Sequence, residues 1–231
     1  MPEDLIISTI HRYLDHRKLN NNLKNLVVIE GNIGAGKSTL CRLLAAKGKK
    51  VCDENLGLWN YTGTLEPGLL TAYLTSKTSN DLVSFQLLVA ASYFVQAATM
   101  GSQQYYQERS IWAAWKVFLP ELKVNESQKM IIEIFMKALM ERIPLPSSVI
   151  FMDVDVDLCY YRVQARGRPN ECVTLEYLKK LRRNHRLLIA YYLSRKVPVI
   201  YLKPQEVNQD VIKTITRKTK AALLALSASQ L

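Results

Sequence analysis

Nine consecutive residues, Gly31-Asn32-Ile33-Gly34-Ala35-Gly36-Lys37-Ser38-Thr39, fit the pattern G-x-x-x-x-G-K-[ST]. The chemistry they suit is the holding of a nucleoside triphosphate. Glycines let backbone N–H groups turn inward around phosphate oxygens, and a helix that starts there adds its partial positive charge. Lys37 has the reach for the β- and γ-phosphates, and the Ser38 hydroxyl can ligate Mg²⁺. With Gly at about 7% of residues, a chance match is on the order of one in a hundred. The flanks lower that further, because Leu26–Ile29 reads as a buried parallel strand and Lys37 to about Lys47 as a helix.

Two further groupings could handle a phosphoryl group in transfer. Glu108-Arg109-Ser110 sets a carboxylate beside a guanidinium after a short strand around Tyr105 and Tyr106. Open α/β sheets bind ligands at such carboxyl ends. Arg162-x-x-x-Arg166-x-Arg168-x-x-Glu171 puts Arg162 and Arg166 on one helical face, with Arg168 continuing around the break at Pro169. Planar guanidiniums suit charge spread over a transferring phosphoryl group. A solvated Arg-rich face is the plain alternative for this segment taken alone. Val149–Asp153 also fits an apolar strand ending in a metal-binding acid, a loose fit since many buried strands end in a carboxylate. No N-K-x-D segment of the guanine-reading type occurs.

These groups are scattered along the chain, and the elements between them must bring them together. Residues 1–24 read as an amphipathic helix, followed by the strand Leu26–Ile29 and the helix from Lys37. Val51 and Cys52 suggest a second strand leading into a loop, and helices are expected over about 66–76 and 80–100. Beyond the strand that ends at Glu108, helices fall near 111–118 and 126–142. Pro144 and Pro146 break the chain before the strand Val149–Met152. A helix carrying Arg162 and Arg166, a helix from about Thr174 to Arg195, the strand Val197–Leu202 and a C-terminal helix complete the order. Strands alternating with helices predict an α/β fold, a P-loop three-layer sandwich whose parallel sheet of about five strands is flanked by helices. One domain over 1–231 is expected, with an arginine-rich lid at about 162–172.

The bulk properties agree. At 231 residues and 48% hydrophobic content the chain can bury one sizeable core. The net charge of +11 suits a triphosphate pocket as well as nucleic acid, and no stable nucleic-acid partner is expected. Cys41, Cys52, Cys159 and Cys172 form no C-x-x-C pair and the three histidines lack metal-ligand spacing, so structural zinc and a disulfide framework are not indicated. No apolar run approaches the ~20 residues a membrane helix needs, and no signal peptide is evident, so a cytoplasmic protein is expected.

Taken in order, four segments resemble the deoxyribonucleoside kinase family, which includes deoxycytidine, deoxyguanosine and mitochondrial-type thymidine kinases and the broad-specificity insect enzyme. They are the cradle Gly31–Thr39, the acidic position in Asp53-Glu54-x-x-x-x-Trp59, Phe85-Gln86 with Glu108-Arg109-Ser110, and the lid Arg162–Glu171. The resemblance covers about residues 25–195 and implies ATP with Mg²⁺, a small nucleoside as acceptor, and a homodimer formed through long helices. It implies that Glu54 is the general base for the sugar 5′-hydroxyl, that Arg109 holds the acceptor oxygen in line, and that Glu108 shares Mg²⁺ with Ser38. Gln86 would read the base, Phe85 and Phe118 would wall it, and Trp59 would line the pocket. Tyr73 and Glu171 are the candidates for the sugar 3′-hydroxyl. Lys37, Arg162, Arg166 and Arg168 would act on the phosphates.

The chain departs from the family in Ala114-Trp115-Lys116, where relatives carry Asp-Arg-Tyr or Ala-Arg-Tyr. Ala114 replaces the aspartate of deoxycytidine- and purine-preferring members. Tyr93 stands where those members have arginine and thymidine-using ones methionine. The resemblance therefore implies thymidine or another pyrimidine, unless Tyr93 is simply core packing. A thymidylate-type monophosphate kinase, a basic P-loop nucleic-acid-binding ATPase and a binding protein without catalysis are the rivals.

Overall fold

Strand β1 (Leu26–Gly31) is buried along its whole length, as a strand covered on both faces must be. A computed structural model describes residues 25–60, 69–75, 78–168, 171–203, 213–215, 217–219 and 221. In it β1 is the central strand of a five-stranded sheet completed by β2 (Lys50–Cys52), β3 (Tyr105–Glu108), β4 (Ser148–Met152) and β5 (Val199–Leu202). All pairings are parallel and the order is β2-β3-β1-β4-β5.

Alternation along the strands feeds two cores. Leu26, Val28, Val149 and Phe151 face one side, and Val27, Ile29, Ile150 and Met152 face the other. The first side is covered by α4 (Ser79–Thr99), α6 (Glu126–Met140) and part of α8 (Leu175–Ser194) through Phe94, Met136 and Leu188. Helices α1 (Lys37–Ala46) and α7 (Val156–Arg166) cover the second through Leu40, Leu44 and Cys159. Caps fix where the helices begin: Asn125 and Gln128 form a reciprocal capping box on α6, and the Thr174 hydroxyl accepts from Tyr177 N. All four cysteines are free thiols.

Three expectations are corrected. The stretch after Cys52 is not all loop: α2 (Leu56–Trp59) is too short, and too broken by Gly57, to show a period. Helix α3 (Leu69–Thr75) is the described part of the segment expected over 66–76. The segment 111–118 is not one α-helix. α5 (Ile111–Ala113) passes into a π-helical turn, Ala114–Phe118, and a 3-10 turn, Leu119–Glu121. Pro120 has no N–H to continue the α ladder, and Asn184 Nδ2 donates to the Val117 carbonyl at 3.1 Å. Finally, α4 is apolar and long enough to meet the length and composition of a membrane span, with a mean hydropathy of 1.5. Its apolarity is explained by packing, since Phe85, Val89, Ala90, Tyr93 and Phe94 are buried against the sheet and α6. The helix expected over 1–24 and Pro169 lie outside the described residues.

Candidate active site

The phosphate loop leaves the end of β1 and enters α1 through Gly36, whose φ of +97° opens the helix N-terminus. Gly34, at φ +80°, has no room for a side chain, because a Cβ there would sit on the carbonyl oxygen of Cys159. The backbone of α7 therefore packs directly onto the loop. Arg162 Nη1 reaches over it toward the carbonyls of Gly34 (3.5 Å) and Ala35 (3.4 Å). Asn32 is pinned from the far side, its Nδ2 donating to Leu178 O at 2.9 Å. Ile33, Ala35 and Thr39 complete the loop, and Ala35 is buried. Lys37 is buried, with Nζ donating to Asn32 O at 2.9 Å. Burial, then the neighbouring Arg109 cation, lower its ammonium to about 8.

Ser38 Oγ donates to Glu108 Oε1 at 2.9 Å, so the two residues expected to share a cation meet across α1 and β3. Burial raises Glu108 above the usual carboxylate range, against the pull of Lys37. Asp53 and Cys41 bring ligand atoms beside Glu108, all within 4.8 Å of one another. The hydroxyl and two carboxylates are the hard oxygen donors Mg²⁺ takes. Cys41 is not such a donor, and burial holds its thiol far above its ordinary range.

Arg109 is the hinge of the crevice. Its backbone lies in the left-handed region at φ +61°. Its Nε pairs with Glu54 Oε1, its Nη1 donates to Gly31 O at 3.0 Å, and its guanidinium lies 4.8 Å from the Phe118 ring centre. Glu54 is also among the charges acting on Lys37, which places base candidate and phosphate lysine in one electrostatic neighbourhood. Next to this pair runs an aromatic wall. Tyr73 stacks on Phe85 at 4.3 Å, Trp59 meets Phe85 edge-on at 5.8 Å, and Tyr93 meets Trp59 at 6.2 Å. Trp59 Nε1 is anchored on Ser92 Oγ at 2.9 Å. Gln86 is buried on the same helix and its Oε1 has no partner among the described residues. An orphaned buried acceptor asks for a donor from a ligand. Ala114 is buried in the π-helical turn.

Glu171, a candidate for the sugar 3′-hydroxyl, is paired within the lid. It makes a two-point ion pair with Arg166, Nε to Oε2 at 2.9 Å and Nη2 to Oε1, while Tyr73 stacks on Phe85. The opposite charge of Arg166, five residues away, is the stronger partner for a carboxylate. Asp153, the loosely fitting strand-end acid, is half-buried with Arg182 Nη2 3.5 Å from its Oδ1. Arg168 is exposed at the described edge of the lid.

The deoxynucleoside kinase family model matches residues 27–223, nearly the whole chain. The chain belongs to the deoxynucleoside kinase family. It is 25% identical over 219 residues to a probable deoxycytidine kinase of fowlpox virus, covering 90% of this chain and 88% of the relative. A deoxyguanosine kinase of Dictyostelium discoideum is 26% identical over 197 residues, covering 79% and 65%. Deoxycytidine kinase 2 of Gallus gallus is 26% identical over 221 residues, covering 80% and 82%.

Within this deoxynucleoside kinase, residues that sequence reasoning passed over also shape the site. Tyr177 carries a helix-start pattern and nothing more in the sequence, yet its phenol lies in the electrostatic neighbourhood of Tyr73 and Arg109. Asp53 was visible only as the neighbour of Glu54. Glu30, Ser110 and Tyr192 form a buried hydrogen-bonded chain beneath Arg109. A carboxylate in an otherwise apolar strand was the one signal available for it.

Proposed function

We propose that this nucleoside kinase transfers the γ-phosphoryl group of ATP to the 5′-hydroxyl of a pyrimidine deoxyribonucleoside, thymidine before others. The observation that carries the transfer chemistry is the Glu54–Arg109 pair beside the buried Lys37. Glu54 accepts the proton of the 5′-hydroxyl, the freed oxygen bonds to the γ-phosphorus, and the bond from that phosphorus to the β–γ bridging oxygen breaks to release ADP. Arg109 orients Glu54 and the acceptor oxygen. Lys37 and the arginines Arg162, Arg166 and Arg168 take up charge on the phosphoryl oxygens, and the lid excludes water. Ser38 and Glu108, with Asp53 at hand, would hold Mg²⁺, which would supply neutralisation of the β- and γ-phosphate charge.

The base preference is supported by three residues. Gln86 offers a donor and an acceptor in one plane, which suits a pyrimidine edge. Ala114 adds no hydrogen bond, and Tyr93 fills the space beside Trp59 with a ring rather than a charge. The relatives named above are deoxycytidine and deoxyguanosine kinases, so a panel of nucleosides with radiolabelled ATP is the deciding assay. Thymidine is expected to exceed deoxycytidine by ~10-fold or more in kcat/KM. The opposite order would remove the thymidine preference and leave the kinase. Phosphorylation of thymidine monophosphate alone would point to the monophosphate kinase instead.

A homodimer is also proposed. Helix α6 exposes Met130, Ile131, Ile134 and Phe135 on one side, with Ile134 60% exposed. These positions recur at helical spacing and form an apolar stripe that a second copy could cover. Sedimentation velocity should show a dimer at micromolar concentration, and Ile134→Asp should yield monomer. A monomeric wild-type chain would rule the proposal out.

A further inference from the structure

Regular pairing of β1 with β3 ends where Ile29 faces Glu108, yet the two segments stay bonded beyond that point. Arg109 N donates to Ile29 O at 3.0 Å, Ser110 Oγ donates to Glu30 Oε1 at 2.6 Å, and Arg109 Nη1 donates to Gly31 O at 3.0 Å. Residues 29, 30 and 31 thus hold residues 109 and 110 at three successive points, ending on the first residue of the phosphate loop. Arg109 keeps its left-handed backbone here, a conformation that persists in a non-glycine residue only when its surroundings over-determine it. Tyr192 OH lies 3.0 Å from Ser110 Oγ. Since Ser110 gives its own proton to Glu30, Tyr192 is the donor of that contact, and a chain of hydroxyls runs from α8 to β1.

Glu30 is out of place as a mere strand residue. It is fully buried among Leu26, Val27, Val28 and Ile29, and its Oε2 has no partner among the described residues. A carboxyl group in such a position is disfavoured unless its charge is used. The charged groups facing it are Arg109, Lys37 and Glu54, and the phenols of Tyr93 and Tyr192 face it from α4 and α8.

We propose that Glu30 is a positioning residue for phosphoryl transfer, its carboxylate acting through Ser110 to hold the Arg109 turn against the start of the phosphate loop. The inference rests on the nucleoside kinase reading. It explains how the group that clamps the acceptor stays in register with the loop that clamps the donor. Burial raises Glu30 to about 7, partly offset by the Ser110 hydrogen bond and then by Arg109 and Lys37. The ionised form only accepts hydrogen bonds, whereas the neutral form carries a proton that at Oε2 meets no acceptor among the described residues. Turnover should therefore rise with pH as Glu30 ionises.

The test is steady-state kinetics on the full chain with saturating nucleoside over about pH 5.5 to 9, comparing wild type with Glu30→Gln. Glutamine keeps the shape and an acceptor for Ser110, so a purely structural role would survive it. The expected result is a kcat lowered ~10-fold or more at pH 8, a KM for ATP changed less than ~3-fold, and loss of the rising limb near neutral pH. Wild-type kcat with an unchanged limb would overturn the proposal. Should Glu30→Gln fail to fold, Tyr192→Phe, which conserves volume, must lower kcat by ~3-fold or more with the KM for ATP held, and wild-type kcat there would overturn it equally. A wild-type chain inactive on every nucleoside would remove the kinase reading and this inference together, whereas an active wild type with an unaffected variant removes this inference alone.

Discussion

Glu54→Gln is expected to lower turnover by ~10²-fold or more while ATP binding survives. Glutamine preserves the side-chain shape and leaves a carbonyl oxygen to accept from Arg109 Nε, so the crevice should keep its form. It cannot take a proton from the sugar hydroxyl. The partner guanidinium is nearly buried, with 7% side-chain exposure against 18% for Glu54, and it would lose its compensating charge. Some loss of stability should accompany the kinetic effect, because a buried cation without a counter-charge is disfavoured. Burial by itself lowers Arg109, and Glu54 is the first of the charges that reverse that effect and hold it above its ordinary value. Rapid-quench measurement of the chemical step, beside titration of ATP binding, separates the two contributions. Near-normal turnover in the folded variant would remove Glu54 from the mechanism.

How much of this could be read along the chain depends on whether a feature is local. The phosphate loop was fully legible because its geometry is made by consecutive residues: Gly34 must approach the α7 backbone, and Gly36 must open a helix at positive φ. The sheet was legible for a similar reason, since each buried strand is a short apolar run of its own. The Glu54–Arg109 pair spans separate elements, and only the family resemblance joined its members. The Glu30–Ser110–Tyr192 chain spans 80 and 82 positions, and no spacing rule reaches that far. The π-helical turn at Ala114–Phe118 was only half legible: Pro120 is local, but the Asn184 amide that donates to the Val117 carbonyl comes from a distant helix. The Arg166–Glu171 pairing escaped for another reason. The family resemblance directs both residues to substrate, and it gives no reason for them to pair with each other.

Lys37→Met is expected to abolish ATP-dependent turnover, by ~10³-fold or more, while making the folded protein more stable at neutral pH. The two effects share one cause. Lys37 is held in the phosphate loop at 5% exposure, where burial and then Arg109 lower its ammonium from 10.5 to about 8. A lysine whose folded pKa is lowered binds fewer protons in the folded than in the unfolded chain between those two values. Stability then rises with pH from about 8 to 10.5, and below 8 the full penalty of the buried charge is present. Methionine removes that charge with little change in side-chain length. It gives up the Nζ bond to Asn32 O, and its thioether cannot reach for a γ-phosphate. A rise in Tm of roughly 2–6 °C at pH 7 is expected, shrinking as the pH passes 8 toward 10. In the wild type the triphosphate would add counter-charge to Lys37, so ATP should raise the wild-type Tm more than that of the variant. Retained turnover in Lys37→Met would overturn the assignment of the phosphate loop. A lowered Tm would show that the buried ammonium is already compensated before ATP arrives.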